Sequence, residues 1–428
     1  MTEPVDLPVP VSFTDPSTPG IGRRGFLTAA GLGVGALAAT AVLRPSGLVA
    51  PAGAATTTGN TLVYVFLRGA ADGLSFLAPL GDATLATARP GVAIPDAAAL
   101  PVDGRFGLHP ALTRVAALLA DGRAAFVPAA GSPNPDRSHF SAQAMMDRGT
   151  ATDATLTTGW LGRYLQATTR SGDVLVRGFG VAPGTPLALR GTKAIAAPRL
   201  ENLALTSVGS GITTDRLQTA LGAMYPNVGN DALRAGASAA LGVMRELAPA
   251  IATATPPAGW TSGFRAAFWP IAKLLGDGFP LEVAAVNLGG WDEHDTMGSP
   301  TDPNSNQTKL VSALDSALGA FFDQIGPAAA ARTTVIVTTE FGRRIALNGA
   351  GGTDHGRGMV MMVLGAGVSP GVHGAWPGLV DADAGNVRVV NDWRAVCAEV
   401  VARRMRPVDL APIFPGFDTR TTLGVMAA

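Results

Sequence analysis

The chain has 428 residues, of which 47% are hydrophobic and 15% are charged, and its 32 basic residues balance its 32 acidic residues. This composition can bury a large core and is not that of a disordered protein. The zero net charge gives no support for a surface that binds nucleic acid or an anionic membrane.

Residues 1–54 are predicted to be a twin-arginine (Tat) export signal. Arg23 and Arg24 lie in the sequence GRRGFL, and a weakly hydrophobic run follows at 29–43. The small residues AGA at 52–54 then resemble a signal-peptidase cleavage site. The alternative is an uncleaved N-terminal membrane anchor. We expect the Tat translocase to export the chain to the periplasm, the cell surface or the medium, with no membrane span after cleavage.

Apolar runs alternate with helical patterns along the rest of the chain. The runs at 61–67, 124–127, 281–288, 333–339 and 359–364 predict five buried strands, and the patterns at 112–119, 159–168, 231–251 and 309–325 predict helices. Strands that are apolar throughout and alternate with helices imply a mostly parallel sheet with helices on both faces. We therefore expect one α/β domain over 55–428. Residues 173–257 are harder to place and are expected to be an insertion or cap.

Charged and polar residues cluster where the predicted strands end. They are Arg68 and Asp72 after the first run, Ser138 and His139 after the second, Asp292 and His294 after the third, Glu340 and Arg343 after the fourth, and Asp354 and His355 in the loop that enters the fifth. Open α/β sheets bind ligands at the carboxyl ends of their strands, so we expect these side chains to lie close together. Asp, Glu and His ligands from several loops are typical of a divalent metal site.

The sequence GGTDHG at 351–356 has two interpretations. Gly and Asp are ordinary turn residues, so the segment could be a surface turn. However, three of the five histidines lie beside carboxylates in the strand-end loops. A hydrophobic core does not explain that clustering, and it favours a metal site that includes Asp354 and His355.

Several motifs together resemble an exported bacterial family known as domain of unknown function 1501. They are GRRGFL, LRGAADGLS, DRSHFSAQ, GWDEH, TEFGRR and GGTDHGRG. That family resembles the alkaline phosphatase and sulfatase superfamily in fold and in motif order. The resemblance implies an alkaline-phosphatase-like fold. It also implies metal ligands at Asp72, Asp292, His294, Glu340 and His355, and a nucleophile at Ser138.

The chain departs from the superfamily pattern at one strand end. The superfamily commonly has Asp-His-Gly where this chain has Glu340-Phe341-Gly342, so a histidine is missing. A second metal site could be weakened, rebuilt with His139 or Asp354, or absent. Ser138 could also serve as the cap of a short helix instead of as a nucleophile.

Together with the metal-ligand pattern, the resemblance implies a metal-dependent hydrolase of phosphoric or sulfuric esters. A divalent ion (Zn, Mg, Mn or Ca) would activate Ser138, and Arg68, Arg137 or Arg343 would bind the substrate's oxygens. Each arginine could instead form an ion pair that braces the fold. The substrate would be a small-molecule or polymer ester. The alternative is an exported protein without catalytic activity that retains the fold for binding or surface assembly.

Overall fold

The computed structural model describes residues 59–171, 173–192, 194–204, 223, 231–380 and 383–427. The predicted export signal lies outside these residues. The strands are β1 (Thr61–Leu67), β2 (Leu77–Pro79), β3 (Leu100–Pro101), β4 (Phe106–Leu108), β5 (Ala124–Gly131), β6 (Gly178–Val181), β7 (Ile195–Ala196), β8 (Val283–Leu288), β9 (Thr333–Thr339), β10 (Met359–Gly365), β11 (Gly371–Val372) and β12 (Asn391–Asp392).

The α-helices are α1 (Ala83–Ala88), α2 (Thr113–Ala120), α3 (His139–Arg148), α4 (Trp160–Ala167), α5 (Asp231–Ala252), α6 (Gly263–Gly276), α7 (Asn306–Ala330) and α8 (Trp393–Arg404). Among the described residues, no helix combines the length and the apolar character that a membrane crossing requires.

A mostly parallel sheet forms the centre of the fold. Its strand order is β11-β5-β10-β9-β1-β8-β6-β7, and β12 also pairs with β5. The pairings of β1 with β8 and β9, and of β6 with β7 and β8, are parallel. Strand β10 runs antiparallel to both of its neighbours, β5 and β9. The predicted α/β class with a mostly parallel sheet is confirmed.

Helices cover both faces of this sheet. Successive residues of β1 point to opposite faces, so Val63 and Val65 pack in one apolar cluster and Leu62 and Tyr64 in the other. Helices α2, α6 and α7 contribute to the first cluster, and α4 and α8 contribute to the second. Every residue of β1 is buried, which explains the uninterrupted apolar run in the sequence.

The largest differences from the predicted element bounds are at β5 and α7. Strands β1 and β9 have the predicted bounds, whereas β5 continues past the predicted 124–127 to Gly131 and α7 extends beyond the predicted 309–325 at both ends. The side chain of Ser305 accepts a hydrogen bond from the Thr308 N–H, and this cap starts α7 earlier than the apolar periodicity shows. Gly326 has a positive φ of 72° and interrupts the helix near its end.

The segment predicted as an insertion or cap contributes to the sheet. It supplies β6, which pairs with β8, and β7, which pairs with β6. It also supplies α5. Residues 205–222 and 224–230 of this segment lie outside the described residues.

One edge of the sheet brings together the loops that carry the sequence motifs. The carboxyl ends of β1, β5, β8 and β9 lie on that edge because these strands are parallel. The amino end of β10 also lies there, because β10 runs in the opposite direction. The GGTDHG loop, which enters β10, therefore reaches the same edge as the other four loops.

Helix α2 begins with a cap from another helix. Its N-cap residue, Leu112, has no side chain that can accept a hydrogen bond. The carboxylate of Asp315 in α7 instead accepts bonds from the N–H groups of Arg114 (3.0 Å) and Val115 (2.9 Å) and from the Thr113 hydroxyl (3.2 Å). Asp315 is buried, so these helix-end donors depend on it.

We expect Asp315→Ala to lower the free energy of unfolding by about 1–3 kcal/mol, because it leaves buried N–H donors unpaired. Asp323→Ala is the control, since Asp323 pairs with Arg114 at an exposed site and should contribute less than about 1 kcal/mol. Denaturant titration of both variants gives the comparison. Equal losses would mean that the cap from α7 does not stabilise α2.

Candidate metal centre

Three side chains from three loops converge at the motif-bearing edge of the sheet. They are His139 at the start of α3, Asp292 after β8 and His355 before β10. The Nε2 atoms of His139 and His355 lie 3.0 Å apart. Oδ1 of Asp292 lies 3.4 Å from the first nitrogen and 3.3 Å from the second. We call these three residues the candidate metal centre.

His294 lies against one side of the candidate metal centre. Its Nε2 atom is 3.0 Å from Oδ1 of Asp292 and 3.1 Å from Nε2 of His355. Its side chain is 46% exposed, whereas that of His139 is 22% exposed. His294 is thus placed to act as a further ligand or as a group facing the substrate.

The hydrogen bonds of the outer ring nitrogens favour a cation between His139 and His355. Nδ1 of His139 faces the Glu340 carboxylate at 2.7 Å, and Nδ1 of His355 faces the Arg137 carbonyl oxygen at 3.1 Å. Both oxygens can only accept, so both Nδ1 atoms donate their hydrogens. In the neutral rings, the two Nε2 atoms then both carry a lone pair, and these atoms lie only 3.0 Å apart. A metal ion bound by both nitrogens relieves that repulsion.

The distances within the centre also suit a small divalent ion. Metal–nitrogen bonds of about 2.0–2.1 Å in a tetrahedron place the ligand atoms about 3.3–3.4 Å from one another. The three sides of the His139–Asp292–His355 triangle are 3.0, 3.3 and 3.4 Å. Two imidazole nitrogens and one carboxylate oxygen form a ligand set typical of zinc and other borderline ions.

Glu340 fixes the orientation of the His139 ring through its Nδ1 atom, the nitrogen that faces away from the candidate metal centre. Its Oε1 atom accepts hydrogen bonds from His139 Nδ1 (2.7 Å), the Gln143 side chain (2.7 Å) and the Gly69 N–H (2.9 Å). Its Oε2 atom accepts from the Thr339 hydroxyl at 2.8 Å, and the carboxylate has no exposed surface. Burial raises the pKa of Glu340, but the bonds from Gln143 and His139 outweigh it and lower the pKa below its usual value. The geometry therefore suits a carboxylate that orients a histidine ligand rather than the predicted ligand itself.

Phe341 occupies the position where the superfamily pattern has a histidine. Its buried ring stacks on His139, with ring centres 5.1 Å apart, and also contacts His355 at 5.1 Å. The Phe341 ring therefore supports the two histidines of the candidate metal centre. His139, which comes from a different loop, offers a nitrogen there.

Asp72, a further predicted ligand, lies outside the candidate metal centre and is engaged by an arginine. Both of its oxygens are bonded to Arg89, and its Oδ2 atom also accepts from the Ser75 hydroxyl at 2.5 Å. The side chains of Asp72 and Arg89 are only 3% and 1% exposed. Burial raises the pKa of Asp72, but Arg89 outweighs it and lowers the pKa overall.

Arg343 connects three loops of the centre. Its side chain is 1% exposed, and its guanidinium donates a 2.6 Å bond to Oδ1 of Asp292. The remaining donors go to backbone carbonyls of Ala70 (2.7 Å), Gly69 (2.5 Å), Thr353 (2.9 Å) and Trp291 (3.1 Å). These bonds agree with the alternative that Arg343 forms an ion pair that braces the fold. They leave few of its N–H groups available to bind a substrate.

The Arg68 guanidinium also donates its hydrogen bonds to neighbouring side chains. It donates to Asn287 at 2.8 and 2.9 Å and to Asp147 at 2.8 Å, and its guanidinium lies 3.7 Å from the Phe66 ring centre. Asp147 is buried, and burial raises the pKa of its carboxyl despite the nearby Arg68. The positive charge of Arg68 therefore partly offsets the cost of burying the Asp147 carboxyl.

Asp354 and Ser138 lie at the exposed rim. Asp354 is 55% exposed, accepts a 3.2 Å bond from Asn348 and lies 3.7 Å from His294 Nδ1. Ser138 is the N-cap residue of α3, but its hydroxyl makes no capping bond. Its backbone N–H donates to Asp136 at 2.8 Å. The helix-cap alternative for the Ser138 side chain is wrong, and the hydroxyl is free for another role.

The charge distribution of the centre keeps Asp292 ionised. Burial raises the pKa of Asp292, but Arg343, His355 and His139 outweigh it and lower the pKa to about 2. Burial lowers the pKa of His355, the neighbouring Arg343 adds to that effect, and the hydrogen bond to Asp292 opposes it. Near neutral pH the centre thus combines a carboxylate with an imidazole that resists protonation.

Two glycines of GGTDHG let this loop pack tightly on its neighbours. A Cβ atom at Gly352 would lie 2.1 Å from the carbonyl carbon of His294, and one at Gly356 would lie 2.3 Å from that of Arg343. Larger residues at these positions would push the loop away from both neighbours. The glycines therefore fix His355 against the loops of His294 and Arg343.

The structure brings together Asp292, His294 and His355 of the predicted ligands, and it adds His139. The sequence placed His139 among the strand-end residues and named it as one that could rebuild a second site, but did not assign it as a primary ligand. The other two histidines lie elsewhere: buried His109 accepts a bond from the Ala111 N–H, and His373 bonds the Ser369 carbonyl. The concentration of histidines in the strand-end loops was the available sequence signal for His139, which lies at the first residue of α3.

We expect Glu340→Gln to weaken zinc binding by about 10–100-fold without abolishing it, because it removes the charge that orients His139. His355→Ala should abolish stoichiometric binding, since it removes a nitrogen of the centre. Competition with a chromogenic chelator measures both affinities. Glu246→Gln is the matched control, because Glu246 accepts a backbone hydrogen bond far from this edge of the sheet. An equal loss in that variant would refute a specific role for Glu340.

Comparison with known proteins gives a family match over part of the chain and distant similarities of structure. No curated protein matches the chain. It is similar to a 4S-sulf protein of a Bacteroides thetaiotaomicron locus for the metabolism of multiple glycosaminoglycans, with 11% identity, a TM-score of 0.32 and coverage of 86% of this chain and 78% of that one. It is also similar to a 2-O GAG sulfatase, with 10% identity, a TM-score of 0.29 and coverage of 85% and 76%. Both TM-scores are low, so neither likeness bears on the chemistry of the site. Residues 271–401, which carry GWDEH, TEFGRR and GGTDHGRG, match the family described as "Protein of unknown function (DUF1501)", and this match confirms the predicted resemblance for that part of the chain.

Proposed function

We propose that the chain is an exported, metal-dependent hydrolase of phosphoric or sulfuric esters. The observation that carries this proposal is the 3.0 Å approach of two imidazole Nε2 atoms whose outer nitrogens both donate to oxygen acceptors. Asp292 completes the triangle and is 49% exposed, so the centre opens to solvent on one side. An ion there would be accessible to a substrate.

A divalent ion at this centre would polarise the ester and lower the pKa of a nucleophilic hydroxyl. The chain supplies that hydroxyl in Ser138, which directly precedes His139 and has no capping bond. Arg137 is exposed, and one of its nitrogens donates to the His355 carbonyl at 3.2 Å. Its remaining donors could bind the nonbridging oxygens of the ester. Arg68 and Arg343 would hold the loops that carry the centre.

A binding protein without catalytic activity is the second candidate. The observation that favours it is the engagement of both predicted substrate arginines, since Arg343 donates to five protein oxygens and Arg68 to Asn287 and Asp147. Such a protein would use the metal to bind an anionic group without cleaving it.

We expect Ser138→Ala to abolish hydrolysis of activated phosphate and sulfate esters while metal content stays unchanged. The Ser138 hydroxyl would be the attacking group, whereas the ligands are other residues. His355→Ala should lose both metal and activity. Turnover of a chromogenic ester panel and metal analysis of the same samples separate these effects.

Ser262→Ala is the matched control for Ser138→Ala. Ser262 is also an exposed N-cap residue without a side-chain capping bond, at the start of α6, so it reproduces the helix position without the site. If metal-loaded wild-type protein hydrolyses no ester of the panel, the binding-protein candidate becomes the better account.

Export is the second part of the proposal, and it rests on residues outside the described structure. Replacing Arg23 and Arg24 with lysines should trap the precursor inside the cell, because the twin arginines are the signal that the translocase reads. Fractionation and immunoblotting compare this variant with wild type. Export of the variant at the normal level would contradict the Tat assignment.

A further inference from the structure

We propose that the centre holds one metal ion, and that Arg89 and Arg343 supply the positive charge that a second ion would otherwise supply to Asp72 and Asp292. This inference rests on the proposed metal centre. It goes beyond it by assigning the number of ions and the function of two buried arginines.

The first observation is the environment of Asp72. Arg89 contacts both of its carboxylate oxygens, and the Ser75 hydroxyl contacts one of them. A metal at this position would have to displace the guanidinium. Arg89 is held from its other side as well, because it donates to the carbonyl oxygens of Ile345 (2.7 Å) and Arg344 (2.8 Å). The cation at Asp72 is therefore built into the fold.

The second observation is the position of Arg343 against the candidate ligands. It lies 2.6 Å from Oδ1 of Asp292 and 3.5 Å from Nε2 of His294. Its other donors are fixed by backbone carbonyls of three loops, so it cannot turn away without breaking them. Oδ1 of Asp292 already meets the Arg343 guanidinium and faces the two histidines, so a second divalent ion on that oxygen would lie beside a fixed positive charge.

The third observation is the distribution of potential ligands. Within the described residues, His139, Asp292 and His355 are the only group of three or more His, Cys, Asp or Glu whose ligand atoms approach one another closely enough to share an ion. Glu340, the remaining buried acid of the motif set, has both oxygens occupied by protein donors. Asp72 and Glu340 are therefore engaged by protein donors and do not belong to the ligand set of the candidate metal centre.

The test begins with the zinc stoichiometry of the full chain, measured by titration with zinc alone and by metal analysis after removal of weakly bound ions. We expect one equivalent, and its loss in His355→Ala. Two tightly bound equivalents would overturn this inference and leave the proposed metal centre intact. No bound zinc would overturn both, so the two failures can be told apart.

A double variant then tests whether Asp72 is an ion-pair partner or a ligand. Asp72→Asn combined with Arg89→Gln removes both charges and keeps polar groups that can bond to each other. We expect its zinc affinity to stay within about threefold of wild type, whereas loss of a ligand or of its support costs about tenfold or more. A loss of that size would overturn the inference.

The matched control neutralises a different buried ion pair. Arg177 and Glu282 are bonded at 2.8 Å, each is 7% exposed, and they lie between β6 and β8. Arg177→Gln with Glu282→Gln reports what neutralising a buried pair does to stability and to zinc binding in general. The effect assigned to Asp72 and Arg89 is the difference between the two double variants.

Discussion

The bonds of the Arg343 guanidinium are the interaction on which the candidate centre depends. They join the loop after β1, the loop after β8 and the loop before β10, through carbonyls of Ala70, Trp291 and Thr353. A buried guanidinium requires a counterion, and Asp292 supplies it at 2.6 Å. Because Asp292 is also a candidate ligand, the same carboxylate balances the arginine and would face a bound metal. Loop packing and the proposed metal binding would therefore be coupled through one side chain.

The direction of β10 explains why His355 can reach this arrangement. In a wholly parallel sheet, a loop that enters a strand lies at the opposite edge from the loops that leave the other strands. Strand β10 is antiparallel to β5 and β9, so its entering loop lies beside the carboxyl ends of its neighbours. The apolar run at 359–364 predicts a buried strand, and β10 is that strand. The run could not show direction, because a strand covered on both faces has the same pattern in either orientation.

The sequence predicted which charged residues lie at this edge of the sheet, but it did not predict which side chain each of them contacts. Apolar runs placed β1 and β9 at their observed bounds, since burial of every side chain leaves no ambiguity there. The role of an acid, however, depends on which atoms face it. Asp72 faces Arg89, only 17 residues away, whereas Glu340 faces His139 across 201 residues. Both are strand-end carboxylates in the sequence, and only the packing separates an ion-pair partner from a support for a ligand.

Phe341 shows why motif order alone does not identify the ligands. The superfamily pattern places a histidine at this position, and its absence suggested that a metal site was weakened, rebuilt or lost. In the structure the Phe341 ring packs against both His139 and His355, the two histidines of the candidate centre. The nitrogen comes from the start of α3, where Glu340 and Gln143 fix the orientation of the His139 ring. The position of a residue in the motif order therefore does not show whether it is a ligand or packs against one, because that depends on which loops meet at the centre.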